Sequence, residues 1–247
     1  MSGPQARVSS ALAYLFLAVL LPACGGNISG GAADPGHGVL FIGNSLTGSN
    51  DLPGMVSALA QAAGSDIPTT ALVVGGTSLE DHWRAGYARG EVERGGWAAV
   101  VLQQGPSTLP ESRAHLIHWT GVFAEVIRSG GSVPYVYMIW PPEGGSWERA
   151  ITSYRLAAEG AGAGLFPVAE AFLAAWARDP ELPLLGGDGF HPSSMGTYLA
   201  AVVMVAQLEG RSPVGLPHAL PGRVSVSPAA AAVLQAAAAE AIEAGNR

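Results

Sequence analysis

The feature that most constrains this chain is an alternation, from His37 onward, of short apolar runs with longer stretches of helical periodicity. Such alternation is typical of βα units, in which parallel strands are joined by crossover helices. We therefore expect one three-layer α/β/α domain with a parallel sheet of about five strands. The predicted strands are Gly38–Ile42, Thr70–Val74, Ala98–Leu102, Val133–Ile139 and Leu165–Val168, and the predicted helices are Leu52–Ala63, Glu111–Ser129, Trp147–Glu159, Ala169–Arg178, Ser194–Leu208 and Pro228–Ala244.

The beginning of the chain has the pattern of an export signal. Arg7 precedes an apolar run, Ala11–Leu21, that is followed by Pro22-Ala23-Cys24. A charged start, a short apolar core and small residues are typical of a secretory signal peptide, and the run is too short to span a bilayer comfortably. The ending is similar to a bacterial lipobox, although Pro22 is uncommon in that motif. Cleavage without lipidation is therefore the alternative.

These features predict three segments. Residues 1–24 form the signal peptide, residues 25–36 form a flexible tether rich in Gly, Ser and Ala, and residues 37–247 form the folded domain. Cys24 is the only cysteine, which excludes an intramolecular disulfide, and its lipidation would explain a thiol at this place. We expect an exported lipoprotein, held at the membrane of a bacterial cell envelope by its N-terminus.

The charges exclude several classes of function. The formal net charge is −7, there is no lysine, and the twelve basic residues are arginines spread along the chain. A nucleic-acid partner is not expected, because binding phosphates along a nucleic acid requires a concentrated basic patch. A Schiff-base amine and a P-loop lysine are also excluded. His115 and His118 lie one helical turn apart, but no third ligand is evident, so we expect neither a metal nor another cofactor.

In open parallel sheets the ligand site lies beyond the carboxyl ends of the strands, so the residues after each strand are the candidates for chemistry. The first strand is followed by Gly43-Asn44-Ser45. A serine at this place can present its hydroxyl over the edge of the sheet. The same three residues also fit an ordinary turn, and a serine hydroxyl is a weak nucleophile without a base.

A base is available near the other end of the domain, where Asp188 precedes His191 by three residues. The carboxylate can bind one imidazole nitrogen and leave the other to face a hydroxyl, which is the arrangement of a serine triad. The alternative is an Asp that caps the next helix beside an exposed His. Ser193 and Ser194 are better N-caps for that helix, and Asp51, a rival orienting carboxylate, is better placed to cap the first long helix.

Taken together, Gly-Asn-Ser after the first strand and the late Asp-x-x-His-Pro resemble the SGNH hydrolase superfamily, also called GDSL esterases and lipases. The resemblance covers the order of elements from about Gly38 to Leu208. It implies a flavodoxin-like fold in which Ser45 is the nucleophile, His191 the base and Asp188 its orienting partner.

The resemblance also implies an oxyanion hole made of hydrogen-bond donors. Its first donor would be the Ser45 N–H, and its second a glycine after the second strand, for which we favour Gly76 over Gly75. The family's third donor, an asparagine after the third strand, is absent here, because asparagine occurs only at positions 27, 44, 50 and 246. Gln103-Gln104 stands there instead, which is similar to branches that act on acetylated carbohydrate. The amide chemistry fits either residue.

Two further side chains are candidates for lining the substrate. Trp140 follows the fourth strand, where it would form an aromatic wall or belong to the core, and His82 follows the glycine turn. The resulting expectation is a serine-dependent ester hydrolase that forms an acyl-enzyme and acts on small-molecule or glycan esters, O-acetylated carbohydrate among them. An acyltransferase with the same triad and a non-catalytic glycan-binding surface lipoprotein are the alternatives.

Overall fold

The computed structural model describes residues 36–245, together with positions 1 and 3. The folded domain lies within one compact unit, Ala32–Arg247. The signal peptide predicted for residues 1–24, the lipidation of Cys24 and almost all of the tether predicted for residues 25–36 lie outside the described residues and stay predictions. Within the part of the chain that the structure describes, no helix combines the length and apolar character needed to cross a membrane.

The centre of the domain is a five-stranded parallel sheet in the order β2-β1-β3-β4-β5. Every residue of β1 and β3 is buried, because helices cover both faces of a parallel sheet of this kind. The predicted α/β architecture with about five parallel strands is confirmed. The strands are β1 (Val39–Gly43), β2 (Thr69–Val73), β3 (Ala99–Leu102), β4 (Val133–Tyr137) and β5 (Gly164–Phe166).

The helices pack in two groups, with α2, α7, α8 and α9 in one and α3, α4, α5 and α6 in the other. Helix α8 is buried along nearly its whole length, which explains its apolar sequence. A 3-10 turn, Ser49–Asp51, precedes α2, and a small hairpin pairs β6 (Ala219–Leu220) with β7 (Val224–Ser225). The helices are α1 (Ser45–Gly48), α2 (Leu52–Ala62), α3 (Leu79–Ala85), α4 (Tyr87–Arg94), α5 (Pro110–Ser129), α6 (Trp147–Ala161), α7 (Val168–Arg178), α8 (Ser194–Leu208) and α9 (Pro228–Gly245).

The fourth and fifth strands are shorter than the sequence pattern predicts. β4 ends at Tyr137, and the apolar residues Met138, Ile139 and Trp140 continue as buried chain without strand pairing. β5 begins at Gly164 and ends at Phe166, because helix α7 already starts at Val168. The apolar runs in the sequence extend beyond the strands because the residues that follow are also buried. The sequence pattern therefore predicted longer strands than the sheet contains.

The strand order creates a crevice at the carboxyl end of β1. The chain passes from β1 to β2 on one side, and then crosses back to β3 on the other. At such a switch point the loops after neighbouring strands diverge and leave space for a ligand. The segments that begin at Asn44, Val74 and Gln103 therefore meet at this edge.

Candidate active site

Residues 43–47, which contain the predicted nucleophile Ser45 and are called the nucleophile segment below, turn sharply out of β1 into the short helix α1. Asn44 is extended and caps the helix, its Oδ1 accepting a hydrogen bond from the Leu46 N–H at 3.1 Å. Gly43 leaves no room for a side chain, since a Cβ there would lie 2.4 Å from Thr47 Oγ1. Ser45 is thus the first residue of α1, and its N–H donates to no protein acceptor among residues 36–245.

Ser45, His191 and Asp188 form one continuous hydrogen-bonded chain. His191 Nε2 lies 2.8 Å from Ser45 Oγ, and His191 Nδ1 lies 2.6 Å from Asp188 Oδ2. With a carboxylate on Nδ1, the imidazole carries its proton there and presents the Nε2 lone pair to the serine hydroxyl. The structure therefore brings together all three residues that the sequence proposed as a triad.

Asp188 is fixed as an acceptor by its own loop. Its Oδ1 accepts hydrogen bonds from the backbone N–H groups of Phe190 at 3.0 Å and His191 at 2.9 Å. The hydrogen bond from the His191 side chain and these two backbone donors lower the pKa of Asp188 from 3.8 to about 2. The carboxylate therefore stays ionised at neutral pH, as a group that orients and stabilises an imidazolium must.

The loop that carries the base is braced by a residue to which the sequence assigned no role. Asn50 Nδ2 donates to Pro192 O and to Thr197 Oγ1, both at 2.9 Å. Asn50 adopts a left-handed backbone conformation with φ 52°, which asparagine tolerates better than most residues. This amide ties the turn after the nucleophile helix to the residue that follows His191. An asparagine in a Gly-Ser-Asn-Asp turn was the only sequence signal for it.

Trp140 does not form an aromatic wall of the cleft, which was one of its two predicted roles. It belongs to the core, which was the other. The indole is fully buried and stacks on Phe172, with ring centroids 4.2 Å apart. Its Nε1–H donates to Phe190 O at 2.9 Å, which attaches the core to the Asp188–His191 loop. Stacking and a hydrogen bond below the loop leave the ring no exposed face for a substrate.

The second glycine of the turn after β2 faces the same cleft as Ser45. Gly76 has φ +74°, a conformation that favours glycine, and its N–H donates to no protein acceptor in the described part of the chain. Asn44 Nδ2 donates to Thr77 O at 3.1 Å and so holds this turn against the nucleophile segment. Gly76 therefore has a backbone N–H available in the cleft, and its role as an oxyanion donor stays a prediction.

The two glutamines after β3 differ in what their amides do. Gln103 is only 1% exposed, and its Oε1 accepts from the Asn44 N–H at 2.9 Å and from Thr47 Oγ1 at 2.7 Å. Its Nε2 donates to Asn44 Oδ1 and to Gln104 O. Both amide atoms of Gln103 are therefore fully hydrogen-bonded within the protein. Gln103 supports the nucleophile segment from below and has no N–H left to bind an oxyanion.

Gln104 lines the cleft instead. Its Nε2 donates to Ser107 Oγ at 3.2 Å, and its Oε1 accepts from the Leu79 N–H at 3.3 Å. One amide hydrogen is left without a partner among the described residues. The buried Tyr154 hydroxyl donates to Gln104 O at 2.7 Å and fixes the backbone, and burial raises the pKa of Tyr154 so that this donor keeps its proton. Of the two candidates, Gln104 has the donor available.

The cleft over Ser45 has a volume of about 580 Å³. Leu46, Pro142 and Phe190 are among its apolar residues, and the segments that follow β1, β2 and β3 supply polar ones. The remaining lining residues are Asn44, Gly76, Thr77, Ser78, Gln104, Gly105, Pro106, Ser107, Thr108, Leu109, Ser112 and His115. A cleft of this size fits a small ester or a sugar unit.

His82, predicted to line the substrate, is instead buried beneath the glycine turn and is 6% exposed. Its Nε2 lies 2.8 Å from Gly43 O and 3.1 Å from Thr77 Oγ1, so it joins the end of β1 to the turn that carries Gly76. The capping box of Ser78 and Asp81 at the start of α3 directs the ring inward. That prediction was wrong, because helix geometry points this side chain toward the sheet.

The histidine that does line the cleft is His115, which the sequence considered only as a metal ligand. His115 Nε2 lies 2.9 Å from Glu80 Oε2. No group of three or more His, Cys, Asp or Glu side chains suited to a metal occurs in the described ranges.

Asp51 caps α2 through the Gly54 N–H and pairs with Arg223, so it is a capping residue rather than a rival to Asp188.

No family model and no curated protein matches the chain. Solved structures do. A candidate SGNH hydrolase from Slackia heliotrinireducens is 25% identical, with a TM-score of 0.61 over 70% of this chain and 99% of that one. A DUF4886 family protein from Bacteroides uniformis is 19% identical, with a TM-score of 0.71 over 85% and 96%. A lipase/acylhydrolase from Enterococcus faecalis is 16% identical, with a TM-score of 0.56 over 70% and 96%.

The fold and the hydrogen-bonded Ser, His and Asp define the class of this domain, which is an α/β domain with a serine triad, similar to SGNH hydrolases. The resemblance to SGNH hydrolases that the sequence suggested is confirmed by the structure from Slackia heliotrinireducens, and the two less similar structures share the fold. The similarity to carbohydrate-esterase branches at Gln103-Gln104 stays a prediction.

Proposed function

We propose that this protein is a carboxylic ester hydrolase that works through an acyl-enzyme on Ser45. The observation that carries the proposal is the unbroken chain from Ser45 Oγ to His191 Nε2 and from His191 Nδ1 to Asp188. A serine becomes a useful nucleophile when a positioned base takes its proton, and here the base is itself held by a carboxylate that stays ionised.

In the first half-reaction Ser45 Oγ attacks the ester carbonyl carbon while its proton moves to His191 Nε2. The tetrahedral intermediate collapses, the bond to the leaving oxygen breaks, and the imidazolium returns the proton to that oxygen, which releases the alcohol. In the second half, His191 takes a proton from water as the water oxygen attacks the acyl carbon. Collapse of this intermediate returns the proton to Ser45 and releases the acid.

The negative charge on the carbonyl oxygen is stabilised by three donors in this scheme. They are the N–H groups of Ser45 and Gly76 and the side-chain amide of Gln104, which all line the cleft and each have a hydrogen without a protein acceptor in the described region. Donors already in place cost no reorganisation as charge develops, and removal of one typically costs about 10²- to 10³-fold in kcat.

We propose hydrolysis rather than acyl transfer, with acylated carbohydrate as the substrate class. The His191 side chain is 38% exposed, so water can reach the base that must activate it. The cleft carries serine, threonine and histidine side chains beside its apolar residues, and these polar groups support a hydroxylated substrate. A purely glycan-binding role would leave the base's contact with Ser45 without purpose.

We further propose that the domain works outside the cytoplasm, anchored to a membrane of the cell envelope through lipidated Cys24. The support is the order of Arg7, the apolar run Ala11–Leu21 and the single cysteine in the sequence. Metabolic labelling with a radioactive fatty acid, compared with Cys24→Ser, tests this. Equal labelling of the two proteins would contradict the anchor.

The test of the catalytic proposal is hydrolysis of p-nitrophenyl acetate by the full chain and by Ser45→Ala. We expect the variant to lose at least about 10³-fold in kcat, because the nucleophile is removed while the fold is kept. The matched control is Ser65→Ala, which deletes a hydroxyl bonded to Ala60 O and Glu209, outside the residues that line the cleft, and should leave kcat unchanged. Equal rates for wild type and Ser45→Ala would refute the assignment.

A further inference from the structure

A second histidine–carboxylate pair lies in the active cleft and takes no part in the triad. His115, in the second turn of α5, contacts Glu80 Oε2 at 2.9 Å, and Glu80 also accepts a hydrogen bond from Arg84 at 2.7 Å. The side chains of His115 and Glu80 are 31% and 28% exposed. His115 lines the same cleft as Ser45, so a bound substrate meets it.

The contact with Glu80 determines what His115 can offer. Hydrogen bonds from His115 and then Arg84 lower the pKa of Glu80, so the carboxylate stays ionised. The imidazole therefore places its proton on Nε2, toward Glu80, and Nδ1 keeps a lone pair that no group among the described residues occupies. His191 is arranged the other way, since its carboxylate binds Nδ1 and its Nε2 faces Ser45.

Hydroxyl side chains, together with the apolar Leu109, line the cleft near His115. Ser112 precedes it by three residues and so shares its face of α5, and Ser107 and Thr108 belong to the loop that leads into that helix. The acetyl group and the alkyl part of a simple ester have no hydrogen-bond donor to offer His115 Nδ1. A sugar carries several hydroxyl groups that do.

We infer that His115 Nδ1 accepts a hydrogen bond from a hydroxyl group on the carbohydrate part of the substrate, and that Glu80 holds the ring for this purpose. The pair is then the element that selects sugar esters over esters of simple alcohols. This inference rests on the proposed esterase function and deepens it. A site built to bind a hydroxyl discriminates against analogues that lack one, because its own polar group is then left unpaired.

The experiment compares a mono-O-acetylated glucose with ethyl acetate as substrates of the full chain, with acetate release as the readout. For His115→Ala we expect KM for the sugar ester to rise roughly five- to tenfold, the loss of one good hydrogen bond, with kcat little changed. KM for ethyl acetate should stay the same. His115→Gln, which keeps a side-chain acceptor, should recover part of the affinity, and Glu80→Ala should weaken binding in the same direction.

His118→Ala is the matched control, because His118 lies on the same helix but outside the cleft and should change neither substrate's kinetics. Equal KM increases for both substrates in His115→Ala, or none for the sugar ester, would overturn the inference. So would a wild type that turns over ethyl acetate and leaves the sugar ester untouched. Each of these results leaves the Ser45-dependent hydrolysis of p-nitrophenyl acetate intact, and only the Ser45→Ala comparison tests that chemistry.

Discussion

At the scale of single residues, the site separates two neighbouring glutamines into different tasks. Gln103 directs its amide to Asn44 and Thr47, whereas Gln104 lines the cleft and keeps one amide hydrogen without a partner among the described residues. Alternation along an extended chain puts successive side chains on opposite faces, which is why adjacent residues with the same chemistry have different surroundings.

Replacing each glutamine by alanine should therefore give different defects. Gln104→Ala should lower kcat for p-nitrophenyl acetate by about 10²- to 10³-fold, because one oxyanion donor is lost. Gln103→Ala should lower the free energy of unfolding by about 2 to 4 kcal/mol, because the Asn44 N–H and the Thr47 hydroxyl lose their buried partner. Urea unfolding and steady-state kinetics on both variants measure the two effects.

Each variant is the other's control. The pattern would be contradicted if Gln103→Ala lost turnover without losing stability, since that result would make Gln103 the donor. Thr47→Val removes only one of the two groups that Gln103 Oε1 binds. It should lower the free energy of unfolding by less than Gln103→Ala does, and the difference distinguishes the contribution of Thr47 from that of Asn44.

The same residue scale shows what the sequence determines about the site and what it does not. Ser45, Asp188 and His191 follow recognisable local motifs, and their hydrogen-bonding order follows from chemistry. The places of His82, Trp140 and His115 depend on which way a helix or a loop turns above the sheet. Local sequence patterns do not determine how a helix or loop is oriented above the sheet. A buried histidine and a histidine that lines the cleft therefore cannot be distinguished from the sequence.

At the scale of elements, the loop that carries the base is held from two sides. Trp140 binds it from the core through Phe190 O, and Asn50 binds it from the nucleophile segment through Pro192 O. The loop also pairs with its own stem, where the Gly186 N–H donates to His191 O at 2.7 Å. Short loops fixed at both ends keep a catalytic group within the narrow distance range that proton transfer needs.

Trp140→Phe keeps an aromatic ring to stack on Phe172 and removes the hydrogen bond to Phe190 O, together with part of the buried ring volume. We expect roughly a tenfold drop in kcat, because the base loop loses an anchor worth about 1 kcal/mol and samples geometries away from Ser45. KM should change little, whereas the melting temperature should fall by a few degrees, because a buried hydrogen bond and part of the core packing are lost. Stopped assays with p-nitrophenyl acetate, together with thermal unfolding, provide the measurement.

Trp176→Phe is a suitable comparison, since it removes an indole hydrogen bond to Leu182 O, outside the residues that line the cleft. It should leave kcat at the wild-type value. Equal kcat for Trp140→Phe and wild type would show that the indole only fills the core.

Elements also show where sequence reasoning succeeds. The five parallel strands and the long helices were predictable, because apolar runs and helical periodicity extend over many residues there. The short helices α1, α3 and α4 were not predicted, since four to eight residues carry too little periodicity to be distinguished from loops. These short helices position Ser45 and Glu80, so the least predictable elements carry much of the site.

At the scale of the whole molecule, Asp188 links stability to pH. Its pKa is lower in the folded protein than its ordinary value of 3.8, so its interactions stabilise the fold above about pH 4 and are lost as pH falls through about 2. The difference in melting temperature between wild type and Asp188→Asn should accordingly be largest above pH 4 and shrink toward pH 2. The effect is small, because the carboxylate is exposed to solvent.

Thermal unfolding of both proteins from pH 2 to pH 6 tests this. Glu80 and Asp81, whose pKa values are also lowered, are present in both proteins and so cancel from the comparison. A difference that stays constant down to pH 2 would contradict the assignment. At neutral pH, Asp188→Asn should also lose up to about 10⁴-fold in kcat, because an amide favours the wrong imidazole tautomer.

Ser45 and His191 stand 146 positions apart in the chain, yet they meet through a single hydrogen bond. Contacts of such long sequence separation form only once the intervening chain has been ordered, which places them late in folding. A nascent or partly folded molecule therefore carries the serine without its base, and its hydroxyl is inert. Any activity that depends on this pair can therefore appear only after the two ends of the domain have come together, late in folding.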